Sequence, residues 1–317
     1  MTLRAQRGTQ LSSPAPSGRT RGALSALAAE ILWGVLPLYF VLLAPTGPFE
    51  LVAWRIALAF AFCTLLLTMT RTWRKVVEVL RRPRLRGLTV AAGVLIYANW
   101  QTYVIATLTG QVIEASLGYF ISPLMTVLLG VIVLRERLRV LPWIAIGIAG
   151  VAVAVIVAGY GRVPWLALIL AATFALYGLV KTTIGPAVDA VSGLTLESLW
   201  LLPVAVVQLI IVGTTSGLTL GHAGLPHAVL LLLAGAVTAV PLLLFAAGAR
   251  RVPLTVIGLL QFVTPLLQFA IGVWVLGEPM TAERWIGFAL VWASLVLLTL
   301  DSALTAKKGR PDAKTHR

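Results

Sequence analysis

Four ionisable side chains interrupt runs that are otherwise apolar: Glu30, Arg55, Glu114 and Glu197. A charge at the centre of a bilayer-spanning helix costs about 2.5–3.5 kcal/mol on insertion scales, so each needs an interior partner or a watered cavity. Arg55 can bind the carboxylate of a substrate, or pair with Glu114 near one mouth of a bundle and gate it. A static bridge between the two is the plainer alternative. Glu30 can carry a proton, or stay protonated and silent; Glu197 opens its run and could be merely interfacial. Enzyme signatures are missing: the sequence contains no phosphate loop, no H-E-x-x-H and no G-x-S-x-G. His222, His227 and His316 are scattered and Cys63 is alone, so neither a metal, a cofactor nor a disulfide is expected.

Polar residues cluster around these charges. In "EASLGYFISPL", Glu114 to Leu124, a helical pitch of ~100° per residue puts Glu114, Ala115, Gly118, Tyr119, Ser122 and Thr126 on one arc, while Leu117, Phe120 and Leu124 fall opposite. A later stretch, "QFVTPLLQ", places Gln261, Thr264 and Gln268 at the positions equivalent to Tyr119, Ser122 and Thr126. In hydrocarbon such arcs must face protein or water, either lining a pathway or serving as hydrogen-bond glue between helices. Trp33, Asn99, Trp100, Tyr177 and Trp200 add binding surface of the same kind. Pro123 and Pro265 free the carbonyls of Tyr119 and Gln261, and Pro37, Pro203 and Pro241 free those of Trp33, Leu199 and Val237. All five are candidate kinks.

The elements that carry these residues follow from composition. Of 317 residues 59% are hydrophobic and 11% charged, and the mean hydropathy of +0.96 belongs to an integral membrane protein. Breaking the apolar runs at charges and Gly/Pro clusters gives ten helices, approximately 23–43, 49–69, 88–108, 113–133, 140–159, 163–181, 193–213, 227–248, 254–276 and 283–302. The net charge of +14 reports topology. With the N-terminus in the cytoplasm, Arg4, Arg7, Arg19 and Arg21 lie inside. The run Arg71 to Arg86, then Arg135, Arg137, Arg139, Lys181, Arg250, Arg251 and the C-terminal Lys/Arg cluster, fall on the same side. Only Arg162 and Arg284 fall outside. Nucleic acid is therefore not an expected partner. The expected organisation is a disordered basic tail over 1–22, five helices over 23–159, five more over 163–302 and a basic tail over 303–317.

The two sets of five repeat each other. "YFISPLMTVLLGVIVLRERLRVLPW" and "QFVTPLLQFAIGVWVLGEPMTAERW" align without a gap, matching Phe120 with Phe262, Ser122 with Thr264, Pro123 with Pro265, Gly130 with Gly272, Glu136 with Glu278 and Trp143 with Trp285. Five is odd, so the second set enters the membrane in the opposite sense. Inverted repeats supply two similar bundles that can open a central site to either side in turn, the arrangement of secondary transporters.

"EASLGYFISPL", Asn99–Trp100, "ESLWLLP" from Glu197, "VPLLLF" from Val240 and "LGEP" from Leu276 together resemble the RarD-type branch of the EamA family, in the drug/metabolite transporter superfamily. The resemblance covers nearly the whole chain apart from its tails. It implies an all-α fold of ten transmembrane helices in two inverted repeats, in the bacterial inner membrane, moving small metabolites or drugs by alternating access. Its implied partners are a small-molecule substrate and the bilayer, with a second copy of the chain as a candidate. The chain departs from the resemblance at Val41 and Trp54, where similar proteins carry Lys and His, so roles of those residues cannot be borrowed. The alternative is a channel-like or lipid-handling membrane scaffold.

Overall fold

The computed structural model describes residues 16–135, 140–249, 251–252 and 254–308. Expectations for Arg4, Arg7, Glu136, Arg137, Arg139, Arg250 and the segment 309–317 lie outside the described residues. Among the described residues every regular element is helical, and ten segments are long and apolar enough to cross a membrane.

The first span comprises α1 (Pro16–Gly34) and α2 (Leu36–Leu42); α3 (Pro48–Thr70) is the second. After the short surface helix α4 (Trp73–Arg81) come α5 (Pro83–Leu108), α6 (Val112–Leu134), α7 (Val140–Tyr160), α8 (Trp165–Ile184) and α9 (Ala190–Thr215), the third to seventh spans. The eighth joins α10 (Leu225–Leu232) to α11 (Ala234–Ala249). The ninth runs through α12 (Leu254–Leu260), α13 (Val263–Ala270) and a π turn over Ile271–Val275, and α14 (Ala282–Lys308) is the tenth.

Several helices outrun the hydropathy boundaries. The helix of the first span begins at Pro16, inside the segment expected to be a disordered tail, and α14 continues to Lys308, past the expected 302. Hydropathy marks only the lipid-embedded part, whereas backbone hydrogen bonding persists through the polar interface. Pro48 and Pro83 sit in the first turns of α3 and α5, where a missing N–H costs nothing.

Span pairing follows a pattern. α7 lies on α14 and α3 on α9. α6 against α8 corresponds to α13 against α1, α8 against α5 to α11 against α1, and α3 against α11 to α9 against α5; α6 meets α13. Exchanging the first five spans for the last five maps this set of pairs onto itself.

Small residues permit the closest approaches. A Cβ on Gly118 would lie 2.7 Å from the Ala167 carbonyl oxygen, so α6 and α8 touch backbone to backbone. α6 is buried on both sides: Leu117, Phe120 and Leu124, the greasy face, join a core with Ala149, Ile156, Phe269 and Phe288. A second core gathers Leu36, Phe40, Val52, Ile56, Tyr103 and Leu201 from the first, second, third and seventh spans.

Candidate functional site

Arg55 sits two turns into α3, about 10 Å along the helix from its first residue. Only 4% of it is exposed. Its Nε donates to Thr238 Oγ1 on α11 at 2.8 Å. The guanidinium carbon stands 4.6 Å from the Trp100 ring centroid and 5.2 Å from that of Phe40, so aromatic faces stabilise the charge without neutralising it. Nη1 is buried with no hydrogen-bond partner, and no ion pair among the described residues includes Arg55.

The walls of this cage are tied to neighbouring spans. Tyr119 on α6 donates to Asn99 Oδ1 at 2.9 Å, and Asn99 Nδ2 donates to the Leu170 carbonyl at 3.2 Å and Thr173 Oγ1 at 3.1 Å on α8. Tyr103 stacks edge-on to both Phe40 and Tyr119, at 5.9 and 5.7 Å between centroids, and its hydroxyl is buried without a partner. Tyr39 donates to the Leu230 carbonyl at 2.8 Å.

A second polar group joins the first and ninth spans. Thr264 donates to Glu30 Oε2 at 2.6 Å, while Glu30 Oε1 is buried and unpartnered. Gln268 Nε2 donates at 3.4 Å to the carbonyl of Trp33, the group that Pro37 leaves free. Pro37 lies at the start of α2 and Pro265 at the start of α13, directly after breaks at Val35 and at Gln261–Phe262. A helix breaks ahead of such prolines because the first turn needs no intrahelical donor. Pro123, Pro203 and Pro241 instead lie inside helices that continue past them; the eighth span is interrupted at Leu233.

The ends of the bundle carry the remaining charges. On the face opposite the basic connections, Arg162 Nη2 donates to Glu114 Oε2 at 3.2 Å and to Gln111 Oε1 at 2.9 Å, and the Leu166 N–H donates to Glu114 Oε1 at 3.1 Å. Beside them Glu278 caps α6, accepting from the Val112 N–H at 2.5 Å and the Ile113 N–H at 2.9 Å. Burial pushes the Glu278 carboxyl above its ordinary value; the two N–H groups pull it back, and the nearby Glu114 raises it again. On the basic face Lys181 bonds Glu197 Oε1 at 2.8 Å and Tyr177 donates to Oε2 at 3.1 Å.

Residues 20–158 match the model of the EamA-like transporter family. Protein RarD of Streptomyces exfoliatus is 43% identical over 289 residues, covering 91% of this chain and 91% of that protein. The chain belongs to the EamA-like transporter family, in its RarD-type branch. An uncharacterized transporter of Vibrio cholerae is similar to this RarD-type chain at 36% identity over 289 residues, 91% of the chain and 95% of that protein. A solved crystal structure superposes with a TM-score of 0.57 at 20% identity, over 92% of the chain and 100% of its counterpart, a likeness of fold. The chain is thus a multi-pass membrane protein of a transporter family.

Of the residues singled out in the RarD-type sequence, Arg55, Asn99, Trp100 and Tyr119 come together in one place, and Glu30, Trp33, Thr264 and Gln268 in another. Glu114 does not meet Arg55. Its position in the first turn of α6 turns it to Arg162 and the start of α8, whereas Arg55 faces α5 and α11. Glu197, on the basic face, is 2% exposed and paired with Lys181. Ser122 and Thr126 bond back to carbonyls of their own helix, at 3.0 and 2.9 Å, and both Thr126 and Gln261 are exposed. Trp200 donates to Thr89 Oγ1 at 3.2 Å, apart from either group. Thr238, Thr173 and the cap by Glu278 were not foreseen. A lone Thr in an apolar run carries no signal of its own, and Glu278 stood out only as the repeat match of Glu136.

Proposed function

We propose that the chain is a secondary active transporter that moves a small metabolite or drug across the bacterial inner membrane by alternating access. On this reading 23–159 and 163–302 are inverted-topology repeats, and the basic face, with both termini, is cytoplasmic. The observation that carries the reading is Arg55: a buried guanidinium with an unpaired N–H, walled by aromatic rings. A buried donor left unsatisfied costs about 1–3 kcal/mol, and more when charged, so a site that keeps one is poised for an arriving ligand. The exchange symmetry of the span pairs supports two bundles that rock against each other. Trp33, Asn99, Trp100, Tyr119 and Tyr177 then line the route, with Glu30 as the candidate proton carrier.

Counterflow in proteoliposomes tests this. A transporter gives saturable exchange that is accelerated by substrate on the far side. Flux that rises linearly with concentration describes a channel-like pore, and no flux with any solute describes a scaffold.

A further inference from the structure

We propose that Arg55 and Tyr103 form a carboxylate-binding point, and that the transported compound is a monocarboxylate with an apolar body. This rests on the transport reading above and names its substrate class.

Arg55 and Tyr103 are 4% and 3% exposed, and Arg55 Nη1 and the Tyr103 hydroxyl are both buried without hydrogen-bond partners. They share a wall. The Phe40 ring lies 5.2 Å from the guanidinium carbon and 5.9 Å from the Tyr103 ring. One is a fixed cation and the other a phenol able to donate, so the ligand atoms that satisfy both are acceptors bearing one negative charge. A carboxylate offers two such oxygens, and pairing with a guanidinium is charge-assisted. The same cation repels an ammonium group. A phosphate monoester would bring up to two charges to a single cation. Around the donors, Trp100, Tyr119 and Phe40 suit a hydrocarbon or aromatic body.

The test uses the full chain in lipid nanodiscs, read by thermal shift and by equilibrium binding of radiolabelled benzoate. Benzoate, phenylacetate and hexanoate are compared with benzylamine and phenyl phosphate. The expected result is a saturable stabilisation by the carboxylates, none by benzylamine and a weaker one by phenyl phosphate. Arg55→Gln should weaken benzoate binding at least tenfold. Tyr103→Phe, which removes one oxygen from a buried ring, should weaken it at least threefold and decides the matter if Arg55→Gln does not fold. Binding of benzylamine as tight as benzoate, tighter binding of phenyl phosphate, failure of all three carboxylates to bind, or an unchanged Tyr103→Phe overturns the proposal. Saturable counterflow of benzylamine without that of any carboxylate sinks the substrate class and leaves transport standing. Arg55-dependent benzoate binding without counterflow of any compound does the reverse.

Discussion

The Thr264 hydroxyl donates to the Glu30 carboxylate at 2.6 Å, joining the first and ninth spans near mid-depth. The Glu30 carbonyl lies 2.8 Å from the same hydroxyl and shares its single proton, so one side chain touches both the backbone and the carboxylate of its partner. One turn further along, Gln268 reaches the Trp33 carbonyl. Both spans are discontinuous beside these contacts, at Val35 and at Gln261–Phe262. A contact between two broken helices is a place where a change in one hydrogen bond can be felt by both halves of the chain.

Glu30→Gln is expected to fold and to exchange substrate, because the amide still accepts from Thr264. It should lose accumulation driven by an imposed pH gradient, falling to the level of passive exchange. Gradient-driven uptake equal to that of the wild type would remove Glu30 from any proton pathway.

Much of this arrangement was legible in the sequence, and what was not has a common cause. Ten apolar runs fixed the spans because a bilayer demands about twenty residues per crossing. Pro37 announced the free Trp33 carbonyl because that effect is local. The partners of Arg55 were hidden. Thr238 lies on the eighth span, far along the chain, and choosing among the polar residues of other helices requires knowing which spans touch. The wheel on α6 puts Thr126 on the polar arc, but its hydroxyl bonds back to the Ser122 carbonyl, and a threonine that can satisfy itself on its own helix carries no signal of an interior partner. Glu278 was visible as a repeated landmark, but its role as a cap depends on where the loop after the ninth span comes to rest.

Glu114→Gln is expected to lower the melting temperature only slightly. Glu114 is 6% exposed but the side chain of Arg162 is 54% exposed, and solvent screening holds such a pair below about 1 kcal/mol. A double-mutant cycle of Glu114→Gln with Arg162→Gln, read by thermal unfolding in detergent, measures the coupling directly. A coupling above about 2 kcal/mol would mean that this contact, and not the Glu278 cap beside it, chiefly fixes the start of α6.

Asp189 caps α9, accepting from the Ser192 N–H at 3.2 Å and bonding its hydroxyl at 3.0 Å, with Lys75 at 3.5 Å. Burial alone would raise its carboxyl, but the Ser192 bonds and the Lys75 charge outweigh burial and hold it below the ordinary 3.8. A carboxyl lowered by folding stabilises the fold in its ionised form. The contribution is therefore complete above the unfolded value and is lost as pH falls through the lower folded one. Asp189→Ala should cost about 0.5–2 kcal/mol at neutral pH. The difference from the wild type should shrink below about pH 3.8. Thermal unfolding of both proteins at neutral and acid pH checks the sign; a difference that grows on acidification contradicts it.

Gly118→Ala tests whether the α6–α8 contact positions the Arg55 cage. The new Cβ would lie 2.7 Å from the Ala167 carbonyl oxygen and 2.9 Å from the Leu170 Cβ, and backbone on one side cannot turn away. The helices must separate, at a cost of about 1–3 kcal/mol for overpacking. The interface is bridged from the side by Asn99 of α5, which donates to Leu170 and Thr173 on α8 and accepts from Tyr119 on α6. Widening it should therefore displace Tyr119 from beside Tyr103 and weaken benzoate binding beyond what lost stability explains. Asn99→Ala, which removes the bonds without pushing the helices apart, separates the two causes. If Gly118→Ala lowers the melting temperature while Asn99→Ala leaves benzoate affinity unchanged, the network serves helix packing alone, and Tyr119 keeps its place through its ring contacts with Tyr103 and Phe174.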